Sequence, residues 1–193
     1  MKKKWITFCF ILVIVTFTGI MLYIRADNNL AVRNSFSNSW RKHYVVEEKS
    51  IAYVNTSPEK EQVTVLSEGQ GYGMFIAAVD PTVKKTDFAK LYQYYLDHRD
   101  RGTQLMAWRQ TMKKGKWTSE RNSATDGDLF IAQALFLAAE RWENNQYQVQ
   151  GQKLISDILR YEYNPTTQAL TVGNWADSKS KYYNLLRTSD VLP

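Results

Sequence analysis

The sequence has few of the residue types that build thiol, metal or nucleophilic sites. Its 193 residues include one cysteine, Cys9, and two histidines, His43 and His98. Cys9 lies in an apolar N-terminal run, so the remaining chain has no disulfide and no thiolate metal site. The two histidines are far apart and are expected to be surface or packing residues. With no nucleophile motif or phosphate loop in the sequence, we expect neither a metal nor a cofactor.

The chain also lacks the basic block that would bind phosphates. Its formal net charge is +6. Four of the 25 basic residues, Lys2, Lys3, Lys4 and Arg25, lie in the N-terminal leader, which contains no acidic residue. Residues 27–193 therefore carry 21 basic and 19 acidic residues, a net charge of +2. This balance argues against nucleic acid as a partner.

The N-terminus contains one long apolar run. Residues 5–24 carry no charge and follow three lysines, which is the pattern of a membrane-spanning helix with a basic cytoplasmic flank. We predict that residues 1–26 form a signal anchor and that residues 27–193 lie on the extracellular face of the membrane. A cleaved signal peptide and a secreted protein are the alternative, although no small-x-small site precedes Asp27.

The rest of the chain is predicted to form helices joined by loops. Helix-spaced apolar residues predict helices over residues 28–46, 70–79, 86–101, 125–142 and 146–161. Strand patterns are few. The sequence therefore predicts an all-α fold of helical hairpins, with polar and aromatic loops gathered at one end.

Two stretches place acidic residues among glycines at the start of a predicted helix. Glu68 lies in residues 66–75, and Asp126 is followed by Gly127 and Asp128. Acidic residues at helix starts interact favourably with the helix dipole, and glycine allows close approach of a ligand or backbone. Two carboxylates at one end of a helical array also suit cleavage of a glycosidic bond. Plain capping acids in a structural helical domain are the alternative.

Two motifs in this order resemble a known family. They are SEGQGYGM at residues 67–74 and ATDGDLFIAQAL at residues 124–135, supported by LMAW at 105–108 and GNWAD at 173–177. The chain resembles glycoside hydrolase family 8, which includes bacterial endo-β-1,4-glucanases, lichenases, chitosanases and reducing-end xylanases. Phe136 departs from the aliphatic residue or glycine that is usual there. The resemblance covers about residues 30–193.

The resemblance implies an (α/α)6 barrel, in which inner and outer helices alternate around an acidic cleft. A complete barrel has twelve helices, and the sequence predicts about six with the leader. Residues 27–193 are therefore expected to correspond to the N-terminal part of the catalytic domain, that is, to an incomplete barrel.

The resemblance also implies an inverting, metal-independent reaction on a β-1,4-linked polysaccharide such as cellulose-like glucan, mixed-linkage glucan or chitosan. Glu68 matches the general acid, which must stay protonated near neutral pH. Asp126 matches the acidic residue that holds the sugar at the cleavage point. The aromatic residues expected to contact sugar are Trp108, Trp175, Tyr72, Tyr182 and Tyr183.

The family's general base comes from a later part of the barrel. Asp177 and Asp190 do not match its motif. Two functions are therefore open. The first is an inverting glycosidase with Glu68 as acid. The second is a truncated, non-catalytic carbohydrate-binding or vestigial membrane-anchored protein that lacks the base.

Overall fold

The computed structural model describes residues 2–58, 60–100 and 102–190. Those ranges contain five α-helices, namely α1 (Lys2–Tyr44), α2 (Ser67–Val79), α3 (Lys85–Asp97), α4 (Thr125–Arg141) and α5 (Asn145–Tyr161). They also contain the strands β1 (Val45–Glu47), β2 (Ala52–Val54), β3 (Val63–Leu66), β4 (Arg109–Lys113), β5 (Lys116–Glu120), β6 (Tyr163–Asn164) and β7 (Ala169–Leu170). A short 3-10 turn spans Thr188–Asp190.

The N-terminal helix α1 is one continuous helix of 43 residues, where the sequence predicted two. It is the one helix in the described ranges that is long and apolar enough to cross a membrane, judged by length and composition. The chain divides into two compact units, residues 1–39 and residues 40–193. All further elements belong to the second unit.

Helices form the body of the second unit. Helix α2 packs against α3 and α4, and α4 packs against α5. The all-α prediction is therefore confirmed. The centre of this packing is a set of side chains with no more than 2 % exposure, among them Met74, Phe88, Tyr94, Tyr95, Leu105, Ile131, Leu135, Leu154 and Ile158. Burial of such large apolar and aromatic side chains is the main term that stabilises the packed helices.

The strands occupy the connections between helices. They form three small antiparallel sheets with the orders β1-β2, β3-β4-β5 and β6-β7. Lys114 and Gly115 form the β4–β5 hairpin turn, and both residues have positive φ, at 51° and 74°. These strands were not predicted because each is only two to five residues long, too short to show a clear alternation of apolar and polar residues.

Helix α4 begins without a side-chain cap. Helix α4 is preceded by Ala124, and neither Ser123 nor Thr125 caps it. Both hydroxyls are engaged in tertiary hydrogen bonds instead, because Ser123 donates to Glu162 and Thr125 donates to the carbonyl of Thr171. These hydrogen bonds connect the start of α4 to Glu162 and Thr171, which lie much later in the sequence.

Candidate active site

The first turns of α2 and α4 lie in contact. A Cβ added at Gly127 would lie 2.7 Å from the backbone nitrogen of Glu68. A Cβ added at Gly71 would lie 2.8 Å from Cβ of Phe130. Real Cβ atoms do not approach so closely, so only glycine allows these two helix starts to meet. The contact places Glu68 and Asp126, the two acidic residues singled out in the sequence, at the same end of the helical layer.

Glu68 is held by a residue on its own helix. The phenol of Tyr72, one turn later, donates a hydrogen bond of 2.8 Å to Oε1 of Glu68. Burial, together with this hydrogen bond, raises the pKa of Tyr72 to about 12. The phenol therefore stays a neutral donor at any physiological pH. The Tyr72 ring also packs edge-on against Phe130, with 4.6 Å between ring centroids.

Asp126 is nearly buried, with 6 % of its surface exposed. Its Oδ1 accepts a hydrogen bond of 2.8 Å from the backbone of Gly127, and Oδ2 lies 3.5 Å from Nη2 of Arg187. Arg187 also pairs with Asp190 at 2.8 Å. The Asp190 hydrogen bond raises the pKa of the Arg187 guanidinium, and the charges of Asp126 and Glu68 raise it further. The guanidinium of Arg187 therefore lies beside both Asp126 and Asp190.

Trp108 is anchored to the segments before both acidic helices. Its carbonyl accepts a hydrogen bond of 3.0 Å from the backbone of Ser67, and its own N–H donates to Asn122 at 2.7 Å. The guanidinium of Arg109 lies 4.4 Å from the centroid of the indole ring. The backbone at Trp108 therefore ties the residue before Glu68 to the loop before Asp126.

Two neighbouring cavities lie on this side of the molecule. One, of about 210 Å³, is lined in part by three rings and one carboxyl group: Trp40, Tyr44, Tyr72 and Glu68. The other, of about 490 Å³, is lined in part by Trp108 and Arg109. Thr56 and Leu66 line both cavities. Glu68 and Trp108 therefore line two adjoining cavities.

A second aromatic pair lies at the segment that follows β7. The rings of Trp175 and Tyr182 are 5.6 Å apart and nearly perpendicular, and they are 41 % and 39 % exposed. Tyr183 is held differently, because its carbonyl accepts a hydrogen bond of 2.9 Å from Nδ2 of Asn164. Of the two tyrosines singled out in the sequence, Tyr182 is the one that contacts Trp175.

Two further carboxyl groups of this region, Asp128 and Glu162, are fully buried. Oδ1 of Asp128 accepts a hydrogen bond of 2.8 Å from the backbone of Met106, and burial raises the pKa of Asp128 well above its usual value. Oε1 of Glu162 accepts a hydrogen bond of 2.5 Å from Oγ of Ser123, and burial raises the pKa of Glu162 to about 7. Asp128 is thus a core residue as well as a helix-start acid.

Several residues of this region were not predicted from the sequence, namely Trp40, Tyr44, Glu162 and Arg187. Trp40 and Tyr44 lie near the end of helix α1 and line the cavity at Glu68. Glu162 and Arg187 lie in no recognised motif. Only their distances to Ser123 and Asp126 identify them, so no signal in the sequence could have found them.

The described fold is a layer of packed helices in which two acidic residues, Glu68 and Asp126, lie at the starts of neighbouring helices. Residues 14–184 match the family described as Glycosyl hydrolases family 8, and the chain belongs to this family.

Relatives with known names agree with this assignment. The chain is 34 % identical over 135 residues to a β-glucanase of Niallia circulans, a match that covers 66 % of this chain and 32 % of that protein. A β-1,3-1,4-glucanase structure from Paenibacillus sp. X4 is 28 % identical, with a TM-score of 0.67, over 78 % of this chain and 41 % of that one.

A family 8 enzyme of Klebsiella pneumoniae, endoglucanase Cel10, has the same fold, with a TM-score of 0.63 at 22 % identity over 72 % of this chain and 43 % of that one. The predicted fold class is therefore confirmed. The chain spans about a third of the length of the N. circulans relative and about two fifths of the solved neighbours.

Proposed function

We propose that this chain is the part of a glycoside hydrolase that supplies the general acid, Glu68, for cleavage of a β-linked glucan. The observation that supports this most is the hydrogen bond from Tyr72 to Oε1 of Glu68 at the place where α2 meets α4. Because Tyr72 occupies Oε1, the second oxygen, Oε2, is left to carry the proton that the glycosidic oxygen receives.

In this proposal Asp126 binds hydroxyl groups of the sugar at the cleavage point. Its Oδ2 lies beside the guanidinium of Arg187, and its carboxyl oxygens can accept hydrogen bonds from the hydroxyl groups of a sugar. Trp108 and Trp175 offer ring faces to the apolar faces of neighbouring sugars. An inverting reaction also needs a carboxylate base, to which we assign no residue.

The names of two relatives support a substrate class. The N. circulans protein is called a β-glucanase and the Paenibacillus protein a β-1,3-1,4-glucanase. We therefore propose a β-1,4-linked or mixed-linkage glucan as the substrate of the whole enzyme. We further propose that residues 5–24 hold the protein at the outer face of the cell membrane or direct its secretion.

The proposal is tested by incubating the protein with mixed-linkage β-glucan, carboxymethyl cellulose and chitosan and measuring new reducing ends. We expect release from a glucan, and a loss of at least about 100-fold in Glu68→Gln, because an amide cannot donate the proton. The control is Glu140→Gln, which changes an exposed carboxylate at the far end of α4. Equal turnover in Glu68→Gln and the wild type would remove Glu68 from this role.

A second candidate function is sugar binding without hydrolysis. The exposed pair of Trp175 and Tyr182 favours it, since such rings bind sugars without a catalytic base. Binding of glucan oligosaccharides with no new reducing ends would identify this function. Loss of that binding in Trp175→Ala, with unchanged binding in Tyr161→Ala, would place the sugar on the ring pair.

A further inference from the structure

The segment that carries Trp175 and the start of α4 meet at one buried serine. Oγ of Ser123 donates a hydrogen bond of 2.5 Å to Oε1 of Glu162 and accepts one of 3.0 Å from the backbone N–H of Asn174. The backbone N–H of Ser123 donates to Oδ1 of Asn174, also at 3.0 Å. Ser123 is three residues before Asp126, and Asn174 is the residue before Trp175.

Glu162 binds this junction with its backbone as well as its side chain. Its carbonyl accepts hydrogen bonds from the backbone N–H of Thr171 at 2.6 Å and from the Thr171 hydroxyl at 3.1 Å. The hydroxyl of Thr125 in turn donates to the Thr171 carbonyl at 2.6 Å. Glu162 therefore contacts both of the segments that lead to Asp126 and Trp175.

Close packing leaves this junction little freedom. A Cβ at Gly173 would lie 2.7 Å from Nε1 of Trp175, so the indole rests directly on the backbone of the junction. Any shift of residues 171–174 relative to Ser123 would therefore move the ring of Trp175. The distance from that ring to Asp126 depends on the hydrogen bonds of Glu162 and Ser123.

Burying a glutamate costs more free energy than burying an apolar side chain of similar size, so packing alone does not explain a glutamate at this position. Glu162 is fully buried, and its Oε2 has no hydrogen-bond partner among the described residues. Burying a carboxyl group that is only partly hydrogen-bonded costs free energy, and an apolar side chain of similar volume is often equally stable or more so. The benefit of Glu162 must then lie in the geometry that its hydrogen bonds impose.

We propose that Glu162 is a positioning residue, which fixes the segment bearing Trp175 against the start of α4 so that one sugar chain contacts Trp175 and Asp126 together. The inference rests on the proposed sugar contacts of these two residues. Glu162 itself touches no sugar and acts through Ser123 and Thr171.

The charged groups around Glu162 make the proposed role depend on pH. The carboxyl groups that face it are Asp126 and Asp128 of α4 and Asp190 of the C-terminal 3-10 turn, and Arg187 is the nearby cation that pairs with Asp126 and Asp190. Burial, with smaller contributions from Asp190 and Asp126, raises the pKa of Glu162 to about 7, although the hydroxyl groups of Ser123 and Thr125 act in the opposite direction. Glu162 is therefore neutral below about pH 7 and becomes a buried anion above it, which weakens the junction as the pH rises.

The test compares Glu162→Gln, Glu162→Ala and Ser123→Ala with the wild-type full chain in detergent. Glutamine keeps the hydrogen-bond acceptor but cannot ionise, and Glu140→Gln on α4 is the matched control. The first readout is hydrogen exchange at the amides of Ser123 and Asn174, corrected for intrinsic rates. The second is the Kd of a mixed-linkage glucan oligosaccharide from pH 5.5 to 8.5.

We expect at least about tenfold faster exchange at both amides in Glu162→Ala and Ser123→Ala, and wild-type protection in Glu162→Gln. We expect wild-type Kd to rise several-fold between pH 6 and 8, and Glu162→Gln to show no such rise. The same pH dependence in Glu162→Gln and the wild type, or sugar binding that survives loss of amide protection, would overturn the proposal.

The experiment distinguishes an error in the proposed sugar contacts from an error in the proposed role of Glu162. If the wild-type chain binds no oligosaccharide at any pH, the sugar contacts are wrong, and the amide exchange alone decides whether Glu162 holds the two segments. Unchanged exchange in Glu162→Ala would show that it does not.

Discussion

Tyr72 and Glu68 lie one helical turn apart on α2 and share a hydrogen bond of 2.8 Å. Side chains four residues apart on a helix face the same side, so this pairing is built into the local sequence. What the local sequence does not provide is the surface against which the pair rests. That surface is Phe130 of α4, whose ring packs against Tyr72.

Tyr72→Phe is expected to lower kcat about 10-fold while leaving thermal stability nearly unchanged. The ring and its packing on Phe130 are kept, and only the donor to Glu68 is lost. Loss of one partly exposed hydrogen bond costs about 1 kcal/mol or less. Glucan hydrolysis and thermal unfolding measured on the same samples check this. Tyr161→Phe, which alters an exposed tyrosine, is the control, and equal kcat in both variants would contradict the orienting role.

Gly127→Ala is expected to destabilise the protein by about 1–3 kcal/mol and to reduce activity, because the added Cβ would lie 2.7 Å from the backbone nitrogen of Glu68. The start of α2 would have to move away from α4. Gly151→Ala is the matched control, since its Cβ would meet only the ring of Phe136, at 3.0 Å. Denaturant unfolding compares the two. A larger loss in Gly151→Ala would show that the contact between α2 and α4 tolerates expansion.

Arg187→Gln is expected to weaken oligosaccharide binding and to destabilise the fold by about 1–2 kcal/mol. The variant leaves Asp190 buried without its cation. The loss of folding free energy is moderate because the Arg187 side chain is 38 % exposed, so that water screens the ion pair. The double variant Arg187→Gln with Asp190→Asn should recover most of the stability but not the binding, because Asp126 still lacks its partner. If the double variant recovered both stability and binding, Arg187 would have no role in sugar binding beyond its pairing with Asp190.

Asp128→Asn is expected to make stability less dependent on pH. Burial raises the pKa of Asp128 in the folded protein well above its ordinary value of 3.8. The folded state therefore holds the proton more tightly, and its contribution to stability is full below pH 3.8 and is lost as the pH rises through the higher folded pKa. Thermal unfolding at pH 5 and pH 8 should show a smaller decrease for Asp128→Asn than for the wild type. An equal decrease in both would mean that Asp128 is not the buried acid that titrates.

The helices could be predicted because their apolar residues repeat with helical spacing. Helix α5 begins and ends within one residue of its predicted bounds, and Asn144 caps it through a hydrogen bond of 3.0 Å to Gln146. The strands could not, because they are only two to five residues long and β3 pairs with β4 across the intervening helices α2 and α3. Pairing of this kind leaves no short-range pattern.

The sequence alone determined where the acidic helix starts lie and which family they resemble, because both follow from short motifs around Glu68 and Asp126. It also determined the apolar N-terminal helix, which depends only on length and composition. Only the tertiary structure decided that Tyr182 rather than Tyr183 contacts the ring of Trp175, and that Asp128 is buried. It also decided that Glu162 binds Ser123 and that Arg187 pairs with Asp126. Burial and long-range hydrogen bonds are properties of packed segments, so they exist only after the helices have come together.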